Sequence, residues 1–405
     1  MTQQAFRLTP VLTGIFAVVC GLTVANIYYA QALIGPITTD LAITPAWAGI
    51  VVTLTQLGYG AGLFLIVPLA DRSENRRLIL LTVAGLIVSL LGAASSRSAP
   101  VFMLCSVMVG LCSVGSQILL PLATHFVSSD QRGRVIGNVM GGLITGIMLS
   151  RPLANTLAAV WGWRAVFWVS ALTMAATGCL LWRVLPRYAP PHRSSYRTLL
   201  WSIGYLLAEY ALLRRRILYH GILFAVFNMF WTASPLMLQA RFGLGQGGIA
   251  IFALAGAGGA LAAPLAGRLA DAGHTRSATW GAMAVVGLAS LVSGWSMSEG
   301  WLLMLACMAL CLDAGVQTNH IVSQRVVYGL NDQARGRLNA AYMTAIFLCG
   351  AMGSSGGAAL FSLWGWWGVV AVATGLCSIN LMLFTMDIVR TRRKTGSDIA
   401  GGIIG

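Results

Sequence analysis

Charge is what this sequence has least of. Only 9% of its 405 residues are Asp, Glu, Lys or Arg, and the acids number 11; a soluble domain carries roughly 25% charged residues. With 57% hydrophobic residues and a mean hydropathy of +0.78, the depletion points to an integral membrane protein. Cysteine pairs are missing as well. Cys20, Cys105, Cys112, Cys179, Cys307, Cys311, Cys349 and Cys377 all lie in apolar segments and no CxxC occurs, so they read as buried free thiols and not as disulfides or zinc ligands. There is no GxxxxGK[ST] loop, no HExxH and no pair of acids inside the apolar runs, which leaves ATP hydrolysis and intramembrane proteolysis without machinery. The expectation is a protein with no cofactor, no metal and no enzymatic activity. The net charge of +15 does not call for nucleic acid, because the basic residues sit in short clusters between apolar runs and not in a stripe interleaved with aromatics.

What is present is a series of apolar runs. They predict an all-α integral membrane fold of twelve transmembrane helices, near 9–33, 45–70, 77–98, 100–123, 135–158, 164–186, 216–240, 247–270, 277–298, 301–323, 337–361 and 366–389. The first run is too long for the apolar core of a signal peptide, although Ala30-Gln31-Ala32 imitates a cleavage site. Of the 26 Lys and Arg, 22 fall on one side of these spans and only Arg97, Arg164 and Arg241 on the other, with Arg151 inside a span. The positive-inside rule then puts both termini in the cytoplasm. Residues 187–215 form a linker. In it Leu199, Ile203, Leu206, Tyr210 and Leu213 recur at helical spacing between arginines, the pattern of an amphipathic helix lying on the cytoplasmic leaflet. The linker divides a six-helix bundle, 1–186, from a second, 216–389, and 390–405 reads as a flexible cytoplasmic tail. The longest extramembrane stretch is too short for a signalling domain.

The two halves repeat each other. "DQRGR" at 130–134 recurs as "DQARGR" at 332–337, Trp161-Gly162-Trp163 as Trp364-Gly365-Trp366, "PLAD" at 68–71 as "RLAD" at 268–271, and Gly115 and Gln117 as Gly315 and Gln317. A parallel repeat of two six-helix bundles is a transporter architecture with the substrate site between the halves. "PLADRSENRR" and "GRLADAGHTR" resemble the loop signature of the major facilitator superfamily, "GIMLSRPLAN" its antiporter motif, and "ANIYYAQALI" a bacterial drug-efflux-like subgroup of drug:proton antiporters. There are departures: Val67 replaces a loop-motif glycine, Ser106 stands where many members have a span-4 arginine, and Arg151 and Asn155 replace antiporter-motif glycines. The resemblance implies two pseudo-symmetric bundles, alternating access, and a cavity lined by spans 1, 4, 7 and 10. It also implies that Asp71, with Arg72, and Asp271 act as a cytoplasmic gate, each acid beside the start of a helix in the other half (span 11 for Asp71, span 5 for Asp271), where a helix N-terminus favours negative charge.

Polar side chains inside a membrane are costly and mark function. Asp313 is the one carboxylate well inside a span. It shares a helix face with Gln317, His320 and Gln324, at i, i+4, i+7 and i+11, and a carboxylate facing a cavity there is able to carry a proton. Arg151 stays charged and needs an anion, carbonyls or water. Lying about 16 residues from the cytoplasmic start of its helix, against about 11 for Asp313, it is offset from that acid by ~8 Å along the membrane normal. A state-dependent pair with Asp313, an anionic substrate, and bonding to carbonyls and Asn155 all remain open. Further candidates for the cavity are Asn26 and Tyr29 on one face of span 1 (with Tyr28 and Gln31 on another), Gln56 and Tyr59 in span 2, Ser113 and Gln117 in span 4, and Asn228, Trp231 and Thr232 in span 7. Each of these serves equally well as interhelical glue. Glycines in "GAGGALAAPLAGRLAD" and "GAMGSSGGAAL" allow close helix approach, and Trp161, Trp163, Trp364, Trp366 and Trp367 read as an interfacial belt.

The resulting expectation is a monomeric secondary transporter in the lipid bilayer, taking a small-molecule substrate and protons and exporting small amphipathic compounds. The alternative is a carrier of an anionic or polar metabolite, such as a chelator or organic acid, with Arg151 as anion partner.

Overall fold

The computed structural model describes residues 9–44, 47–190, 195–331 and 334–401. In a bilayer the backbone polar groups must be satisfied within the chain, and the described residues form helices with no strand. Span 1 is α1 (Pro10–Ala32), started by Thr9, whose hydroxyl caps the Leu12 N–H at 3.3 Å, with Pro10 in the first turn. A short α2 (Ile34–Asp40) follows. Span 2 is α3 (Ala48–Leu65), which tightens into a 3-10 turn over Val67–Asp71. Span 3 is α4 (Asn75–Ser95). Span 4 breaks into α5 (Ala99–Cys112) and α6 (Gly115–His125). Spans 5 and 6 are α7 (Ser129–Trp161) and α8 (Trp163–Val184).

After α9 (Tyr196–Glu209), α10 (Ala211–Phe242) is span 7. Span 8 is interrupted, running as α11 (Gln246–Ala257), a 3-10 turn (Gly258–Leu261) and α12 (Ala262–Asp271). Spans 9 and 10 are α13 (Thr275–Ser298) and α14 (Leu302–Tyr328). The last helix, α15 (Arg335–Gly401), turns at Gly365 with φ 64° and ψ −161°, a conformation open to glycine alone, so its apolar stretch Arg335–Arg390 makes two passes, spans 11 and 12. Among the described residues these helices account for the twelve spans expected of a multi-pass membrane protein.

The burial pattern is that of a protein in lipid. Leu303 and Ile251 point outward at 81% and 75% exposure, whereas Asp313 and Arg151 are 0% and 3% exposed. Span 1 packs on span 5, 2 on 4, 3 on 6, and 9 on 10, while α10 lies along α15. Across the repeat, span 2 packs on span 11 and span 5 on α11.

Three local expectations are corrected. The stripe of the linker helix is divided: α9 ends at Glu209, Tyr210 is extended, and Leu213 belongs to α10. Leu199, Ile203 and Leu206 are buried against the protein, and Trp201 and Tyr205 take the outer side. The segment uses its apolar face for packing because spans 2, 7 and 11–12 offer it one. The expected tail is helical to Gly401. Of the tryptophan belt, Trp161, Trp364 and Trp367 are exposed, but Trp163 and Trp366 are buried. Trp163 meets Phe102 and Phe167 edge-on, and Trp366 donates to Ser293 O at 3.3 Å.

Candidate functional site at the interface of the two halves

The segments 72–74, 126–128, 185–190, 272–274 and 329–331 share one end of the bundle, which also carries most of the arginines; 41–44, 96–98, 243–245 and 299–301 share the arginine-poor end. A central cavity lies between them. It has a volume of about 60 Å³, room for a few waters. Its walls come from spans 1, 2, 4, 5, 7, 10 and 11, and are mostly apolar, with Tyr28, Phe224, Phe227, Met343 and Phe347 prominent. An organic molecule of ordinary size enters only if the halves part.

Toward the arginine-poor end a buried polar network closes the cavity. Gln31 Nε2 donates to Asn228 Oδ1 at 3.2 Å and to Thr232 Oγ1 at 3.1 Å. Gln56 donates to the same Asn228 oxygen and to Ser354 Oγ at 3.3 Å. Beyond it, Ile34, Ala48, Val52 and Ala358 pack together. These contacts join spans 1 and 2 to spans 7 and 11. Toward the arginine-rich end a thinner bridge runs from Tyr59 and Gln117 (3.2 Å) through Asn339 (3.2 Å) to Tyr328 (3.0 Å). A groove of about 440 Å³ flanks that bridge and is lined by Asp71 and, at the start of span 11, by Arg337. Arg72 is exposed, and the Asp271 side chain lies outside the described residues.

Arg151 and Asp313 meet at this network, with an aromatic ring between them. The Arg151 guanidinium donates twice to Gln31 Oε1, from Nε at 3.2 Å and Nη2 at 3.1 Å. Its remaining surface faces three rings, with the guanidinium carbon 4.5 Å from the Trp231 centroid, 4.9 Å from Phe227 and 5.2 Å from Tyr28. From the edge of its ring, Trp231 donates its indole N–H to Asp313 Oδ1 at 2.7 Å. Asp313 Oδ2 is buried without a partner, and no ion pair closes between Asp313 and Arg151. The acid, the indole and the guanidinium thus form a chain across the interface of spans 10, 7 and 5. Asn155 bonds only the Arg151 backbone carbonyl, at 2.9 Å.

Span 8 makes room for this arrangement. A Cβ on Gly256 would come within 2.3 Å of Trp231 Cζ2, and one on Gly259 within 2.6 Å of Asp313 Cβ. The helix unwinds into its 3-10 turn at this level, as interrupted helices do around transporter sites. Gly256→Ala is therefore expected to push the indole off its partners, costing about 1–3 kcal/mol of stability and reducing transport at least tenfold. Gly14→Ala, with nothing within 4 Å, is the control. Detergent thermal denaturation and flux measured on both check this; equal behaviour would remove Gly256 from the site.

Several expected cavity residues are used otherwise. Asn26 donates to the Leu22 and Thr23 carbonyls of its own helix and accepts from Ser170 at 2.5 Å. Tyr29 packs in the same cluster, with Trp163 and Phe167. Both therefore face span 6, and it is the opposite face, Tyr28 and Gln31, that meets the interface. Ser113 returns to Val109 O at 2.6 Å where span 4 breaks. Gln117, Gln317, His320 and Tyr59 line the cavity, while Gln56, Asn228 and Thr232 belong to the closing network. Sequence reasoning missed His220, whose ring meets His320 at 3.1 Å and Asn319 at 3.2 Å, as well as Ser354 and Asn339. A histidine one turn inside span 7 was the available signal for His220; the other two are unremarkable until the halves are brought together.

A family model described as Major Facilitator Superfamily matches residues 11–353. The chain belongs to the Major Facilitator Superfamily. It is a transporter and not an enzyme, and the family implies a small-molecule substrate and a lipid surround. Its relatives include the uncharacterized transporter YgaY of Escherichia coli O157:H7, 39% identical over 95% of this chain and 97% of that one. A chloramphenicol resistance protein of Pseudomonas aeruginosa is 25% identical over 88% and 85%. Among solved structures, a bacterial homologue of the human lysosomal transporter Spinster, in an inward-facing and occupied conformation, superposes with a TM-score of 0.74 at 14% identity, over 93% of this chain and 96% of that one. That likeness concerns the fold.

Proposed function

We infer that this superfamily member is a proton-coupled exporter of small amphipathic compounds in a bacterial inner membrane. The observation that carries the reading is the Asp313–Trp231–Arg151 chain set against an apolar, aromatic cavity. An unpartnered buried carboxylate oxygen is tolerable as a neutral acid and expensive as an anion, so a proton on Asp313 is the coupled species. Its loss would create a charge one indole away from Arg151, a strong pull in a low dielectric. The attraction present in the ionised state and absent in the neutral one gives the two protonation states different preferred packings of span 10 against span 5. The resistance-protein relative makes efflux the favoured direction.

The moving units in this reading are 1–186 and 216–389, with 187–215 as their connector and with Asp71 and Arg337, which line one groove, at the gate. By the positive-inside rule the arginine-rich end and both termini are cytoplasmic, so the cavity lies on the cytoplasmic side of the closing network. A second reading has its own support: the buried Arg151 guanidinium, with five donors, finds only the Gln31 oxygen and ring faces. Such a group suits an anionic metabolite. Flux in proteoliposomes under an imposed pH gradient, with a panel of cationic dyes and organic anions, tests the two. Cation movement that dissipates the gradient supports the exporter; anion movement alone overturns it in favour of the metabolite carrier.

A further inference from the structure

A second polar site lies outside the central cavity, at the arginine-rich end, where the starts of α10 and α13 approach the end of span 12. Arg216 stands near the start of α10 and is only 6% exposed. Its Nη1 donates to Thr279 Oγ1 at 3.0 Å, while Nε is buried with no acceptor. Among the described residues no carboxylate pairs with it; nearby Asp387 is engaged by Arg215 at 3.5 Å and by the Tyr219 hydroxyl. An idle donor on a buried guanidinium is costly unless an anion meets it.

Arg216 lines an open pocket of about 720 Å³, shared with His274, Arg276, Ser277, Trp280 and Ile388. The first turn of α13 forms the facing wall. This helix has 24 residues, and its N-cap residue His274 makes no side-chain cap bond. The first backbone bond of the helix runs from Ala278 N to His274 O, so the N–H groups of Thr275, Arg276 and Ser277 have no partner within the helix. Two guanidinium groups and a helix N-terminus thus converge on one pocket, the arrangement that binds phosphate. The rim is different in character. Trp280, 46% exposed, and Ile388 give it an apolar border, and an exposed tryptophan at a helix end belongs to the headgroup region. A phosphodiester with acyl chains uses both floor and rim; free phosphate uses the floor alone.

We propose that this pocket binds the phosphate of an anionic phospholipid, whose chains lie against spans 9 and 12. The site is independent of the transport reading. The test uses full-length protein, delipidated in detergent, with native mass spectrometry against phosphatidylglycerol and phosphatidylcholine. Phosphatidylglycerol is expected to be retained in preference. Arg276→Gln, an exposed position, weakens retention about fivefold, and Arg216→Gln about tenfold or more; Arg97→Gln, at the other end, leaves it unchanged. Equal retention of both lipids, or no change in Arg276→Gln where the variant keeps the wild-type melting temperature, overturns the proposal. If millimolar inorganic phosphate stabilises the protein as much as phosphatidylglycerol does, and loses that effect in Arg276→Gln, the site takes a free anion and the lipid assignment falls.

Discussion

Asp313→Asn is expected to abolish accumulation driven by a pH gradient while leaving substrate exchange intact. The amide keeps the size of the side chain and, through its oxygen, the bond from the Trp231 indole, but it cannot gain or lose a proton. One pH unit across the membrane is worth about 1.4 kcal/mol, or tenfold in accumulated substrate for each proton carried. The accumulation ratio should therefore fall from about tenfold to about one. Counterflow with substrate on both sides asks for no net proton movement and should persist. The two readouts separate a lost carrier from a misfolded protein, which would lose both. Among the described residues Asp313 is the one buried carboxylate, so none of them stands ready to replace it. A variant that still accumulates substrate against the gradient would remove Asp313 from the coupling.

The fold was legible in the sequence because lipid imposes a coarse rule: long apolar runs, short polar breaks and an asymmetric charge distribution. The boundaries of span 1, read as 9–33 and found as Pro10–Ala32, show how well that rule works. The repeat was legible for a related reason, as Gln117 and Gln317 occupy matching positions and both reach the cavity. The face of a helix was harder to read. Span 1 carries polar residues on two faces, and periodicity alone cannot say which face meets the other half. Asn26 satisfies its amide on the carbonyls of its own helix and on Ser170, whereas Gln31 has no such local partner and bridges three helices. The part played by Trp231 was only half visible. Its position beside the polar stripe of span 7 could be read, but not that one ring offers its face to a cation and its edge to an acid. That double contact depends on spans 5, 8 and 10 meeting at one depth, which no local pattern encodes. The linker helix misled for the opposite reason, since an apolar stripe looks the same whether it covers lipid or protein.

Arg151→Gln discriminates between the coupling role and the ligand role. The substitution removes the cation from the cage of Trp231, Phe227 and Tyr28, and with it contacts of about 0.5–2 kcal/mol per ring. If Arg151 holds a substrate anion, the variant loses a charge-assisted bond of roughly 1.5–3 kcal/mol, about 10- to 150-fold in apparent affinity. Organic anions are then affected and cationic dyes spared. If Arg151 serves as the counter-charge for deprotonated Asp313, both classes lose gradient-driven transport alike, with affinity for either little changed. A second pair of substitutions sharpens the result. Trp231 contacts both groups and they form no ion pair in this structure, so an Arg151–Asp313 pair would belong to another state of the cycle. Arg151→Asp combined with Asp313→Arg should then recover melting temperature relative to Arg151→Asp alone, because a lone acid at that depth faces a buried acid whereas the double exchange restores opposite charges. Recovery of stability without recovery of accumulation would mean that the attraction is real and that its polarity matters to the proton. Absence of any recovery would leave the cage and Gln31 as sufficient partners for Arg151, and would move the anion that justifies a buried arginine from the protein to the substrate.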